Sequence, residues 1–347
     1  MFLNNKHILV TGGTGSLGKT IVRRLLTGEA GVPRRITVFS RDETKQHHMR
    51  ADFRNLGEAT DETIYTRSKD ILAFQIGDMR DRDSVSRAIQ DVDIVFNAAA
   101  LKQVPTCEQF PFQAVQTNVV GAQNLVCAIR DTRNQVEQVV AISTDKACKP
   151  INVMGMTKAI MERIFIEANL QCSHTRFNGV RYGNVIASRG SVVPFFIQQI
   201  DGGGPVTITT PDMTRFLLSL DQAVDTVFAA VQHARTGEIF VPKVQAARIV
   251  DLARVLIDGR DIAVINTGIR PGEKVHEIMV SEEERIRTVE RGAYYVIQPM
   301  LQELQPAYVD QPVLGGEYSS QDVTLDDDGI RRLLGPIIPQ IRQGLMA

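Results

Sequence analysis

The stretch HILVTGGTGSLGKTIVRRLL, His7 to Leu26, decides the fold. A short apolar run enters a glycine-rich turn, and apolar residues then recur at helical spacing. Gly12 permits the tight turn, Gly15 lets the backbone approach a pyrophosphate, and Gly18 lets helix and strand pack closely. Thr14, Ser16 and Leu17 complete the turn, and the helix N-terminus supplies a positive field. Glycine turns are common, so the weight lies in the context of a strand before and a helix after. The segment predicts a nucleotide site.

Working outward, apolar strand-like runs alternate with helical patterns: RITVFS, AFQIGD, DIVFNAAA, QVVAIS and NGVRYGNV. Leu17 to Leu26, Phe112 to Arg130 and Asn152 to Leu170 have helical length between them. This order predicts an α/β fold, a parallel sheet with helices on both faces. After Val185 the order loosens. The reading assigns residues 1–185 to a nucleotide-binding domain and expects 217–237 to return to it. Residues 186–216 and 238–347 are expected to form a smaller substrate lobe.

Composition narrows the partners. With 39 Lys and Arg against 40 Asp and Glu, the formal charge is −1, so the balance does not call for nucleic acid. The four cysteines, Cys107, Cys127, Cys148 and Cys172, lack C-x-x-C spacing and read as reduced thiols, with no metal expected. There is no apolar run of spanning length, and MFLNNKHILVTGG enters a strand without a signal-peptide pattern. A cytoplasmic protein that does not engage a membrane is expected.

The next strand end, VFSRDETK, chooses the cofactor. Many NAD sites place an acid there for the ribose hydroxyls. Here Ser40 and Arg41 come first and Lys45 follows, a set that fits a 2′-phosphate and predicts NADP. Asp42 argues the other way, and a solvated helix start is the competing account. By position, Asp78 and Met79 flank the adenine. Ala98 and Lys102 line the path to the nicotinamide, and Val185 is placed with them.

A chain of motifs then becomes recognisable: TGGTGSLGK, FSRDETKQ, AAALKQVP, STDKACKPIN, RYGNVIASRGSVVPFF, MTRF, GEIFVPK, GIRPGEKVHE and EYSS. In this order, from about residue 6 to 320, the sequence resembles the inverting UDP-N-acetylglucosamine 4,6-dehydratases. These are extended short-chain dehydrogenase/reductases of surface-sugar biosynthesis. The resemblance implies a Rossmann domain with a doubly wound parallel sheet, tightly held NADP, a smaller C-terminal UDP-sugar lobe and a homo-oligomer. It assigns Asp145 and Lys146 to catalysis and Lys158 to the cofactor ribose and active site. It places Lys102, Asn184, Thr209, Arg215, Arg270 and Glu273 around the UDP-sugar.

Met154 departs from the pattern, standing four residues before Lys158 where many members have tyrosine. Other members share methionine there, both inverting and retaining ones. A 4,6-dehydration moves hydride from C4 to C6 and eliminates water across C5 and C6, so it needs a base near C5 and an acid near O6. Asp145 and Lys146 supply both. For Lys146 to act as a base it must lose its proton near neutral pH, toward which desolvation and the like charge of Lys158 push. For Asp145 to act as an acid, burial must raise its pKa. If the two touch, the ionic form of the pair competes. A thioether transfers no proton, so the C4 hydroxyl needs another acceptor. Thr144, Asp145, Lys158 and a bound water are the candidates, with Asp145 or water first. Met154 reads as an apolar wall, and Tyr182 as a core residue. A UDP-sugar 4-epimerase, a retaining 4,6-dehydratase and a non-catalytic NADP-binding protein are the alternatives.

Overall fold

A computed structural model describes residues 1–54, 69–132, 136–186, 191–305, 311–339 and 341–342. The motif residues 187–190 lie outside the described residues. Strand β1 (His7–Thr11) is buried at every position and leads through the glycine turn into α1 (Ser16–Thr27). The chain continues through β2 (Arg35–Ser40), α2 (Glu43–Arg54), β3 (Leu72–Ile76), α3 (Arg82–Ala88) and β4 (Ile94–Asn97). Short helices α4 (Val104–Gln109) and α5 (Pro111–Ala114) pass through a π-turn, Val115–Val120, into α6 (Gly121–Thr132). Then come β5 (Gln138–Ile142), a 3-10 turn at Asp145–Ala147, α7 (Val153–Gln171) and β6 (Arg176–Val180).

Among the described residues the large sheet has nine strands. Its parallel part runs β3-β2-β1-β4-β5-β6, the doubly wound order, and reverses beside β1. Side-chain alternation divides the core between two faces. Ile8 and Val10 pack with α1, α2 and the later helix Leu220–His233, whereas Leu9 packs with α3, α6 and α7. This double coverage explains why β1 is apolar throughout.

The second half contains β7 (Asn184–Val185), α8 (Val192–Asp201), β8 (Val206–Ile208), β9 (Thr214–Leu218), α9 (Leu220–His233), β10 (Ile239–Pro242), β11 (Ala246–Arg248), α10 (Ile249–Ile257) and β12 (Val264–Asn266). After these come β13 (Ile278–Val280), α11 (Glu282–Arg285), β14 (Thr288–Arg291), β15 (Tyr294–Ile297), β16 (Tyr318–Ser319) and α12 (Asp327–Leu334). A Ser219/Gln222 capping box starts α9, whose apolar face joins the core of the large sheet. A separate core forms from α8, β8, α10 and α12.

Residues 238–347 do not all belong to that second lobe. Strand β10 pairs in parallel with β6, and β15 and β14 extend the large sheet by antiparallel pairing. An open parallel edge accepts such a hairpin because its main-chain groups need partners. The segments EIFVPK and YYVIQ therefore extend the sheet of the first domain.

Candidate active site

The carboxyl ends of β1, β4, β5 and β6 form one rim, where a doubly wound sheet binds its ligands. At β1 the close approaches are backbone on backbone. A Cβ on Gly12, whose φ is +63°, would stand 2.7 Å from Ala99 Cα, and one on Gly18 would meet Gly13 Cα at 2.5 Å. Gly15 caps α1 without a side chain, and the first turn carries no acidic residue to cancel the helix field. Thr14, Ser16 and Leu17 are partly exposed around this cradle, which therefore fits a dinucleotide phosphate.

At the end of β2 the expected 2′-phosphate set is divided. Arg41 is half exposed, with Nη1 3.7 Å from Asp78 Oδ2. The Ser40 hydroxyl accepts from Gln46 Nε2 at 3.0 Å, and Lys45 is tied to Asp42 at 2.7 Å. Asp78 also grips Arg80 through two short bonds, 2.9 and 2.6 Å. Arg41 is thus the cation of this group that faces outward with the weaker hold. Met79 is buried and its carbonyl accepts from Asn124, while Ala98 and Val185 are partly buried and Lys102 is exposed.

The proton-transfer candidates gather after β5. Thr144 caps the 3-10 turn and donates to Asp145 Oδ1 at 2.8 Å. Asp145 is fully buried, and its amide donates to the Tyr182 carbonyl at 3.0 Å. Lys146 Nζ lies 3.1 Å from Asp145 Oδ1, 3.1 Å from Glu277 Oε1 and 3.5 Å from Asn184 Oδ1. Arg215 Nε approaches Glu277 Oε1 at 3.9 Å, and its Nη1 donates to the carbonyls of Thr214 and Val275. Burial pushes the Asp145 carboxyl upward more than Lys146 pulls it down.

The balance that the sequence leaves open falls toward the ionic form of Lys146. Burial does press the Lys146 amine toward neutrality, but the charges of Asp145 and Glu277 outweigh it and raise its proton affinity. The like charge that opposes them is that of Arg215. Lys158 donates to the Ile142 carbonyl at 2.8 Å, and desolvation brings it down to about 8.

Helix α7 presents Met154, Lys158 and Glu162 at four-residue intervals on one face. Asn152 caps this helix, accepting from the Gly155 amide at 2.8 Å. Met154 is buried on Cys107 and Ala114, and its thioether carries no proton to transfer. Tyr182 lies in the core with Ile142 and Val180, and burial pushes its hydroxyl upward.

The cap loop meets α7 at the same end. Asn152 Nδ2 donates to the Gly272 carbonyl at 2.8 Å, and Lys274 Nζ donates to the Cys148 carbonyl at 2.5 Å. Arg270 is exposed, Glu273 shares its turn, and Thr209 accepts from the Gly268 amide at 3.0 Å. These three, with Lys102, lie outside the Lys146 hydrogen-bonded cluster, whereas Asn184 and Arg215 border it.

Two buried groups escaped the sequence reading. Glu277, 2% exposed, closes the quoted motif GIRPGEKVHE, and a carboxylate directly before the apolar run IMV was the available signal. Arg181, 1% exposed, joins Glu162 at 2.7 Å and Glu284 at 2.8 Å, and its neighbour Tyr182 had drawn the attention.

The sheet order, the glycine cradle and the carboxyl-edge cluster define an enzyme of the extended short-chain dehydrogenase/reductase type. The chain belongs to the polysaccharide biosynthesis protein family, whose model matches residues 8–299. It is 42% identical over 301 residues to a UDP-N-acetylglucosamine 4,6-dehydratase (inverting) of Campylobacter jejuni, covering 86% of this chain and 84% of that one. It is 45% identical over 302 residues to a UDP-glucose 4-epimerase of Rickettsia akari, with the same two coverages, 86% and 84%. The X-ray structure of Pen from Bacillus thuringiensis is 32% identical and superposes with a TM-score of 0.85, covering 98% of this chain and 100% of that one. No helix among the described residues is long and apolar enough to cross a membrane.

Proposed function

We propose that the protein catalyses NADP-dependent 4,6-dehydration of UDP-N-acetylglucosamine with inversion at C5. The product is a UDP-4-keto-6-deoxy-hexosamine for surface glycan or related amino-sugar synthesis. The observation that carries this reading is the buried Asp145–Lys146 pair beside a dinucleotide cradle, retained where Met154 replaces a tyrosine. A bound nicotinamide supplies the hydride exchange between C4 and C6. Gly12, Gly15 and the α1 N-terminus would hold its pyrophosphate, with Gly18 letting helix and strand pack behind them, Arg41 the 2′-phosphate, and Lys158 the nearby ribose.

The chain's own work is proton transfer and positioning. Once C4 is a ketone, the C5 proton is acidic, and Lys146 takes it when its amine is neutral. Asp145, whose carboxyl burial shifts upward, takes the proton of the C4 hydroxyl, directly or through water, and gives a proton to the departing C6 oxygen. Arg215 and Arg270 hold the diphosphate, with Asn184, Thr209, Glu273 and Lys102 around the sugar and nucleoside. The enzyme works in the cytoplasm as a homo-oligomer. Exposed Phe110 between α4 and α5, Phe112 on α5, and Met156 and Ile160 on α7 support such pairing between copies.

The similarity to a named 4-epimerase favours one competing reading. Epimerisation needs acid/base work at O4 in both directions and nothing at O6, which leaves the Asp145–Lys146 pair unexplained. Purified protein incubated with UDP-N-acetylglucosamine and NADP separates the two by NMR. A 4-keto-6-deoxy sugar supports dehydration, and a C4 epimer that keeps its C6 hydroxyl overturns it. The C5 configuration of the product separates inversion from retention.

A further inference from the structure

We propose that Glu277 is a positioning residue for Lys146, fixing its amine between two carboxylates and governing the pH at which that amine is free to act as a base. The inference rests on the proposed role of Lys146 but concerns a residue outside the set read from the sequence. Its first support is geometric. Lys146 Nζ sits 3.1 Å from Asp145 Oδ1 and 3.1 Å from Glu277 Oε1, so one ammonium is shared by two buried acids.

The second support is how rigidly Glu277 is presented. Its amide donates to Ser320 Oγ at 2.9 Å, and its carbonyl accepts from the Ser320 amide at 2.8 Å. Two residues before it, the Val275 carbonyl accepts from the Thr214 amide at 3.0 Å and from Arg215 Nη1 at 3.1 Å. The carboxylate therefore reaches Lys146 from a backbone held on both sides. Oε2 of Glu277 and Oδ2 of Asp145 are buried without a protein hydrogen-bond partner, leaving acceptor capacity within the cluster. Buried carboxylates so placed carry a desolvation penalty, which is ordinarily retained where chemistry needs it.

The charged neighbours set the direction of control. Asp145 and Glu277 favour the ammonium form of Lys146, and Arg215 opposes them. Glu277 itself is surrounded by Lys146, Arg215 and Lys274. Asn184 completes the circle with a neutral acceptor. Removing the charge at 277 while keeping its shape leaves Asp145 as the sole acid beside Lys146 and Arg215 as an unopposed cation.

The test uses Glu277→Gln and Glu277→Asp in the full chain. Amine-reactive labelling of Lys146, followed by mass spectrometry across a pH series, reads its titration without any substrate. In Glu277→Gln the midpoint is expected to move down by about one pH unit or more, the scale of removing one adjacent opposite charge. Glu277→Asp, which keeps the charge, should stay near wild type. In parallel, the acid limb of the pH profile for solvent deuterium entry at C5 should move the same way. An unmoved Lys146 titration in a Glu277→Gln protein that still binds NADP overturns the inference. Failure of the wild type to dehydrate UDP-N-acetylglucosamine would overturn the proposed function instead, and the labelling result would stand apart from it.

Discussion

Lys158 Nζ donates to the main-chain oxygen of Ile142 at 2.8 Å, with the Met161 sulfur next at 3.6 Å. A buried ammonium with these neighbours is poorly compensated, and burial brings it from 10.5 to about 8. The folded protein therefore holds this proton less tightly than the unfolded chain does. Between about 8 and 10.5 the unfolded state binds more protons, so this group's penalty fades as pH rises. Lys158→Met should be more stable than wild type by on the order of 3 kcal/mol below pH 8. The advantage should shrink toward pH 10.5, while turnover falls sharply. Thermal melts over that range check the sign, and a constant gap would sink the assignment.

Arg41 reaches Asp78 only at 3.7 Å and is half exposed, so it is available to a phosphate. Wild type should bind NADP more tightly than NAD. Arg41→Ala should weaken NADP by about 1–3 kcal/mol with little effect on NAD. Calorimetric titration of both cofactors measures this directly, and equal wild-type affinities would exclude the role.

The two cap arginines should respond differently. Arg270 is exposed, so Arg270→Ala should raise KM roughly ten- to hundredfold, the loss of about 1.4–2.8 kcal/mol, without changing Tm. Arg215 supports Thr214, Val275 and Glu277 as well, and Arg215→Ala should lower Tm in addition. Unchanged KM in either variant removes that arginine from the diphosphate site.

Lys146→Ala separates the two halves of the reaction. It should still oxidise C4 but stall before elimination, accumulating reduced nicotinamide and a 4-keto sugar that keeps its C6 hydroxyl. Wild type in heavy water should place one deuterium at C5. Dehydrated product at the wild-type rate would discard Lys146 as the base, whereas no nicotinamide reduction would move it to the first step.

Arg181 offers a test of stability against acid. Burial pushes Glu284 upward, but the Arg181 charge and hydrogen bonds more than reverse this and hold it at about 2. Its contribution is complete above the ordinary value of 4.5 and is lost as pH falls through about 2. Arg181→Met leaves Glu162 and Glu284 buried without their cation and should cost about 3–5 kcal/mol near neutrality. Melting curves at descending pH should show wild type losing its advantage across that window.

Local signals made much of this molecule legible. The glycines at 12 and 18 declare themselves because each close approach is made with a neighbour's main chain, which tolerates no side chain, and Gly15 by its place at the helix start. Helix α9 shows at Leu220–His233 because its cap and apolar spacing both lie within the segment. The pairing of β10 with β6 and β15 was not visible, since it depends on which sheet edge is open rather than on the strands themselves. Glu277 and Arg181 were hidden for a related reason. Charged residues read as surface until their partners are known, and those partners lie 131 and 19 residues away at Lys146 and Glu162. The proton state of Lys146 followed the same rule: its own segment names Asp145 but not the second acid.

Met154 bears on how freely this scaffold trades its chemistry. Its side chain is seated against Cys107 and Ala114, with Leu101, Val104 and Val153 around them. A phenol ring installed at 154 would have to displace that seat or turn into the cleft, and overfilling such a space costs roughly 1–3 kcal/mol. A tyrosine on this helix therefore calls either for a smaller bed at 107 and 114 or for a rotamer that leaves that bed for the cleft, so the proton carrier this chain lacks stands behind a repacking barrier.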